Sequence, residues 1–160
     1  MSPGEFRKLT PGEVELARLV FGDQLEAGKV TIFAMPFWNR AFVTGRHLMV
    51  WPAATACLDF SSAPLQVKSV FIHELTHVWQ AQSGVNLILA KLAAGDGRRA
   101  YTYDLSEGRA FQSLNIEQQA MIIQHAFLAA HGAEAPFKLH AYSVALADWP
   151  ESIFSKPYQV

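Results

Sequence analysis

The chain has 160 residues, of which 51% are hydrophobic, 12% aromatic and 17% charged, enough apolar material for one core and too little charge for disorder. Its 13 basic and 14 acidic side chains leave a formal charge of −1, so no basic field exists to hold nucleic acid or anionic lipid. A single cysteine, Cys57, excludes an internal disulfide and any zinc site built from several thiolates, and it reads as a buried small hydrophobe. The first residues lack the apolar stretch of a signal peptide, and no apolar run approaches the roughly 18 residues that cross a bilayer. The expected location is therefore the cytoplasm, with export left to routes that need no signal peptide. One domain is expected over 1–160, its core over about 10–130 and an irregular tail over 131–160.

Thr10-Pro11-Gly12-Glu13 has the form of a capping box. The apolar residues Val14, Leu16, Ala17, Leu19, Val20 and Leu25 then predict a short amphipathic helix that ends before Gly28. Three strands are expected over 29–34, 41–44 and 47–51, the last two joined by a tight turn at Thr44-Gly45-Arg46. Ser61-Ser62-Ala63-Pro64 offers hydroxyl caps for a helix over about 64–83, stopped by Gly84. A short helix is expected within 85–94, a loop over 95–99, and an extended segment or strand over 101–105. A last long helix should cover about 113–130, before Gly132 and Pro136, and residues 137–160 read as loops over the surface. Helix, strands, helix, helix is an α+β order without βαβ alternation.

The segment His73-Glu74-Leu75-Thr76-His77 fits H-E-x-x-H. Residues four apart on a helix differ by only about 40° in direction, so both imidazoles can meet one Zn²⁺, with Glu74 beside them to take a proton from a metal-activated water. With six histidines and nine glutamates in 160 residues, chance yields this pattern about 0.01 times per chain. The bland alternative is a helix whose histidines are solvated and bind nothing. Val67, Val70, Phe71, Val78 and Trp79 argue against it, because they make this the central buried helix, where two histidines and a glutamate without a metal are costly to desolvate. Trp79, Gln80 and Gln82 follow the motif and are assigned packing or hydrogen bonding only.

A catalytic zinc needs a third protein ligand and one open position. The candidates are His125, His131, His140, Asp96, Asp104, Glu107 and Glu117. Glu117 stands out because it falls inside a predicted helix between Ile116 and Ala120, where an ionised carboxylate needs a partner. His125 lies about 80° round the same helix from Glu117, as a neighbour of the site or as a core residue. Tyr101 and Tyr103 lie between the two helices and alternate in direction if extended, so one can reach the site as an oxyanion donor while the other packs.

These residues resemble those of the zincin metallopeptidases, and within them the glutamate-ligand type, the gluzincins. More narrowly, the chain is similar to small bacterial proteins labelled Vgr-related, which carry a zincin-like domain and are associated with type VI secretion and Rhs-type elements. The resemblance covers about 10–125. It is carried by residues 71–80, by Tyr101-Thr102-Tyr103-Asp104-Leu105 and by Asn115-Ile116-Glu117-Gln118-Gln119-Ala120, with Phe21-Gly22-Asp23 and Asp59-Phe60-Ser61 upstream. It implies a minimal zincin-like α+β domain, in which a small, mainly antiparallel sheet packs on the motif helix and a second helix carries a ligand. It also implies zinc on His73, His77 and Glu117, Glu74 as general base, and hydrolysis of a peptide or protein substrate, with secretion-system components as partners. The alternative is a scaffold that keeps its metal and cleaves nothing, argued from the small size of the chain. Retention of Glu74 argues against it, because a structural zinc has no use for a base.

Overall fold

The structure is a computed structural model that describes residues 1–95 and 97–149. Strand β1 (Phe6–Lys8) leads into helix α1 (Pro11–Phe21), followed by strands β2 (Thr31–Met35), β3 (Phe42–Thr44) and β4 (Leu48–Pro52). Helix α2 (Leu65–Gln82) carries the H-E-x-x-H motif, and α3 (Leu87–Ala94), α4 (Arg98–Tyr101), α5 (Ile116–Ala130) and α6 (Leu139–Ala145) complete the chain.

The four strands form one sheet in the order β1-β2-β4-β3. β1 pairs antiparallel with β2, and β3 antiparallel with β4 through the turn at Gly45, whose φ of +73° suits glycine. The central pair, β2 with β4, is parallel, in the register Thr31 to Leu48 through Met35 to Pro52. The sheet is thus mainly antiparallel, as expected, around one parallel seam. β1 is an addition: three residues with little periodicity became an edge strand because Phe6 stacks on Phe33 at 4.3 Å.

The capping box forms as read, Glu13 N donating to Thr10 Oγ1 at 3.1 Å and Thr10 N to Glu13 Oε2 at 2.8 Å. Glu13 does more than cap. Fully buried, it takes both Arg7 guanidinium nitrogens at 2.6 Å and the Phe60 N–H at 2.7 Å, tying β1, α1 and the chain before α2 together. The first turn of α1 approaches that chain so closely that a Cβ on Gly12 would lie 2.3 Å from Ser61 Oγ. Gly22, with φ +58°, ends α1 earlier than predicted, although Leu25 is still buried.

One core holds sheet and helices together. Phe60 stacks on Phe71 of α2 at 4.8 Å and meets Trp51 of β4 at 4.4 Å. Ile72, Leu75 and Val78 of α2 and Ile122, Ile123 and Phe127 of α5 complete it, and α2 against α5 is the most extensive contact between elements. Cys57 is half-buried at its edge rather than inside it.

Three other expectations change. The hydroxyls of Ser61 and Ser62 do not cap α2, whose N-cap is Pro64; Asp59 instead caps the turn at Phe60–Ser62. Of the two readings for 101–105, the strand does not form: Tyr101 ends α4, and Thr102 is extended (φ −84°, ψ 131°) without joining the sheet. The Thr102 carbonyl is taken by Gln118 Nε2 at 2.6 Å and its hydroxyl returns to Arg98 O, so Thr102 is tied to α5 and α4 instead of a sheet edge. The tail is not all loop: α6 forms, Tyr142 is fully buried, and Trp149 donates its indole N–H to Val20 O at 2.7 Å. The remainder of the expected tail, 150–160, lies outside the described residues. Among the described residues, no helix is long and apolar enough to cross a membrane.

Candidate metal centre

α2 is nearly all buried through the motif: His73, Glu74 and His77 are 8%, 6% and 7% exposed, flanked by Ile72, Leu75 and Val78 at 0%. The four-residue spacing places both imidazoles on the face that meets α5, their rings 4.9 Å apart. α5 starts with Asn115 as N-cap, its side chain accepting from Glu117 N and Gln118 N at 2.9 Å, which sets Glu117 in the first turn. There the positive end of the helix favours its carboxylate. Glu117, 2% exposed, aims Oε2 at His73 Nε2 and His77 Nε2, both at 3.4 Å.

Ligand atoms of His73, His77 and Glu117 all lie within 4.8 Å of one another, a buried cluster able to hold a metal ion. Two imidazoles and a carboxylate converging at this range offer the donor set of a metal site. Burial pushes the Glu117 carboxyl up, but His73, His77 and the ammonium of Lys91 outweigh it and hold it far below the usual carboxylate range. Burial pushes the His77 imidazole down, and Glu117 with Glu74 reverses the shift to a net rise. Glu74 is pushed up by burial, only partly countered by the two histidines, and its Oε2 has no hydrogen-bond partner.

The other third-ligand candidates stand elsewhere. His125 Nδ1 pairs with Tyr103 Oη at 2.6 Å, His131 Nδ1 with Phe127 O at 2.8 Å, and His140 is exposed. Asp104 accepts from Ser106 N and Oγ, Glu107 is exposed, and Asp96 lies outside the described residues. The two tyrosines separate. Tyr101 lines the cleft above the cluster, its hydroxyl accepting from Lys91 Nζ at 3.0 Å and Arg40 at 3.3 Å. Tyr103 is not among the cleft-lining residues; its hydroxyl sits between His125 and Tyr142 Oη (2.9 Å), and burial pushes its phenol upward.

That cleft has a volume of about 640 Å³, with Val43, Val70, Ile88 and Leu92 among its apolar walls. α3 buries no side chain, and Ile88 and Leu92 are each 75% exposed, so this apolar helix forms an open wall of the cleft. Sequence reasoning did not find Lys91, which reaches from α3 to ion-pair with Glu117 Oε1. The signal was there, a single charge inside Leu87-Ile88-Leu89-Ala90-Lys91-Leu92.

No family model matches the chain. It is 34% identical over 134 residues to the type VI secretion system spike protein VgrG2b of Pseudomonas aeruginosa, a match covering 76% of this chain and 13% of that protein, so the chain corresponds to a small part of it. The solved structure of the effector domain of P. aeruginosa VgrG2b is similar with a TM-score of 0.68 and 32% identity, over 88% of this chain and 82% of that domain.

Proposed function

This chain belongs to the zincin-type family that includes the VgrG2b effector domain, and we propose that it is a zinc-dependent peptide hydrolase. The observation that carries the proposal is the convergence of His73 Nε2, His77 Nε2 and Glu117 Oε2 beside an unpartnered buried carboxylate, Glu74. Three protein donors match the ligand number of a catalytic zinc site, which leaves one position open, whereas a structural site is closed by four.

His73 and His77 would hold zinc as neutral imidazoles and Glu117 as a carboxylate. Zinc so bound supplies Lewis acidity and lowers the pKa of its water toward ~7. Glu74, beside the two imidazoles and raised by burial, is placed to accept a proton and return it to the leaving amine. Tyr101 faces the cleft with a hydroxyl available to the carbonyl oxygen of the substrate as it gains charge. The apolar walls suit a peptide that presents an apolar side chain beside the scissile bond. The alternative scaffold role leaves Glu74, an unpartnered buried carboxylate, without a use.

The relationship to a type VI spike protein supports an association with a secretion apparatus. Replacing Glu74 by Gln tests the mechanism. The variant should bind zinc at the wild-type stoichiometry and lose hydrolysis of a quenched-fluorescence peptide library. Equal turnover by the variant would refute Glu74 as the base.

A further inference from the structure

Gln80 sits one helical turn past His77 and is 1% exposed. Its Oε1 lies 2.8 Å from His77 Nδ1, and its Nε2 donates to Ile116 O at 3.0 Å and to Gln119 Oε1 at 2.9 Å. A primary amide has two hydrogens, and both are used here. Ile116 O is a backbone carbonyl and only accepts. Gln119 is fixed in the same way, because its Nε2 donates to Phe111 O at 3.2 Å and Leu114 O at 3.1 Å, so the atom it turns toward Gln80 is its oxygen. Neither amide can turn over without setting N–H against N–H or oxygen against oxygen in a buried place, at about 1–3 kcal/mol for each group left unpaired.

The consequence falls on His77. Both ring nitrogens face acceptors, but Gln80 Oε1 lies 2.8 Å from Nδ1 and Glu117 Oε2 3.4 Å from Nε2, so the one hydrogen of the neutral ring is held better on Nδ1, and Nε2 is the nitrogen that offers its lone pair to a metal. Three backbone carbonyls at the start of α5 and just before it (Phe111, Leu114 and Ile116) thereby dictate, through two amides, the tautomer of a residue on α2. His73 has no such device: its Nδ1 is buried without a hydrogen-bond partner.

We infer that Gln80 is a positioning residue, which holds His77 in its metal-ligating tautomer and, through Ile116, keeps the helix bearing Glu117 in register with the motif helix. The inference rests on the metal-centre reading above, but its first readout needs no metal. Outer partners of this kind are worth about 10–100-fold in metal affinity.

The test uses the full chain labelled with ¹⁵N-histidine, as wild type, Gln80→Met and Gln80→Glu, metal-free and at a pH where the rings are neutral. In the wild type His77 should show one tautomer, protonated at Nδ1, with His73 as the internal contrast. Gln80→Met removes the acceptor, and the His77 shifts should move toward a mixture. Gln80→Glu gives up the two N–H donors to Ile116 O and Gln119 Oε1 but keeps an acceptor opposite Nδ1, so it should preserve the His77 signature while loosening the link to α5, a separation that a purely structural role would not produce. Zinc affinity, read by competition with a chromophoric chelator, should fall 10–100-fold in Gln80→Met and less in Gln80→Glu. Unchanged shifts in Gln80→Met, or equal losses in both variants, would overturn the inference. Should Gln80→Met fail to fold, Gln80→Asn, which keeps a primary amide but is one methylene too short to reach His77 Nδ1, takes its place; unchanged His77 shifts there would overturn the inference. If the wild type takes up no zinc, the metal reading fails, while a single Nδ1–H tautomer would still uphold the role of Gln80.

Discussion

Glu74 should cost the metal-free protein stability, and replacing it by Leu should make the fold stronger while abolishing hydrolysis. The side chain is 6% exposed, its Oε2 has no hydrogen-bond partner, and the residues before and after it are wholly buried or nearly so. One buried unsatisfied acceptor costs about 1–3 kcal/mol, and leucine has a similar volume without the polar group. At about 2–4 °C per kcal/mol for a chain of this size, the melting temperature in a chelator should rise by about 2–12 °C. The pH dependence has a definite sign. Burial raises the folded-state pKa of Glu74 above 4.5, so the folded state binds more protons than the unfolded one above that pH, and the carboxyl destabilises the fold progressively as pH rises. The advantage of Glu74→Leu should therefore be small near pH 4 and grow towards neutrality. Thermal melts of both proteins with EDTA, at pH 4, 5, 6 and 7, read this directly. A variant less stable than the wild type, or an advantage that shrinks with rising pH, would refute the reasoning.

Other outcomes follow from the same geometry. Trp149→Ala should lose about 3–5 kcal/mol in urea denaturation, because the indole is 8% exposed, bonds Val20 O and meets Phe21, Trp79 and Phe111 edge-on; a loss under 1 kcal/mol would remove it from the core. Asp59→Ala should cost about 1–2 kcal/mol, since the carboxylate takes Ser61 N, Ser61 Oγ and Thr10 Oγ1. Burial pushes Asp59 up, but those hydrogen bonds hold it below 3.8, so its contribution is present above that pH and fades on acidification, as melts from pH 6 to 2.5 would show. Tyr101→Phe should reduce kcat about 10²–10³-fold with zinc content unchanged, whereas Tyr103→Phe, away from the cleft, should leave kcat within a few-fold.

The site was more legible in the sequence than the architecture around it. His73, Glu74 and His77 are four-residue neighbours on a helix, so local periodicity alone puts them on one face. Glu117 was marked by a different signal, a charge among apolar helical neighbours. The capping box, the Gly45 turn and the boundaries of α2 are also local, and they formed nearly as read. What escaped depends on contacts distant in sequence. β1 has three residues, too few for a period, and exists because β2 offers it an edge. The alternation at 101–105 resembles a strand, but Gln118 reaches its backbone first. Helix α6 and the burial of Trp149 reflect an aromatic pocket assembled from α1, α2 and the turn at Phe111. Gln80 looks like an ordinary helical polar residue until α5 is placed beside it, and Lys91 was marked only as a lone charge in an apolar helix, with its partner Glu117 on a distant element.

The most direct measurement is the metal content of tag-free protein by elemental analysis, with His73→Ala alongside. The account predicts one zinc per chain in the wild type and none in the variant. No bound zinc in the wild type, even after incubation with the ion near neutral pH and removal of the excess, would contradict it.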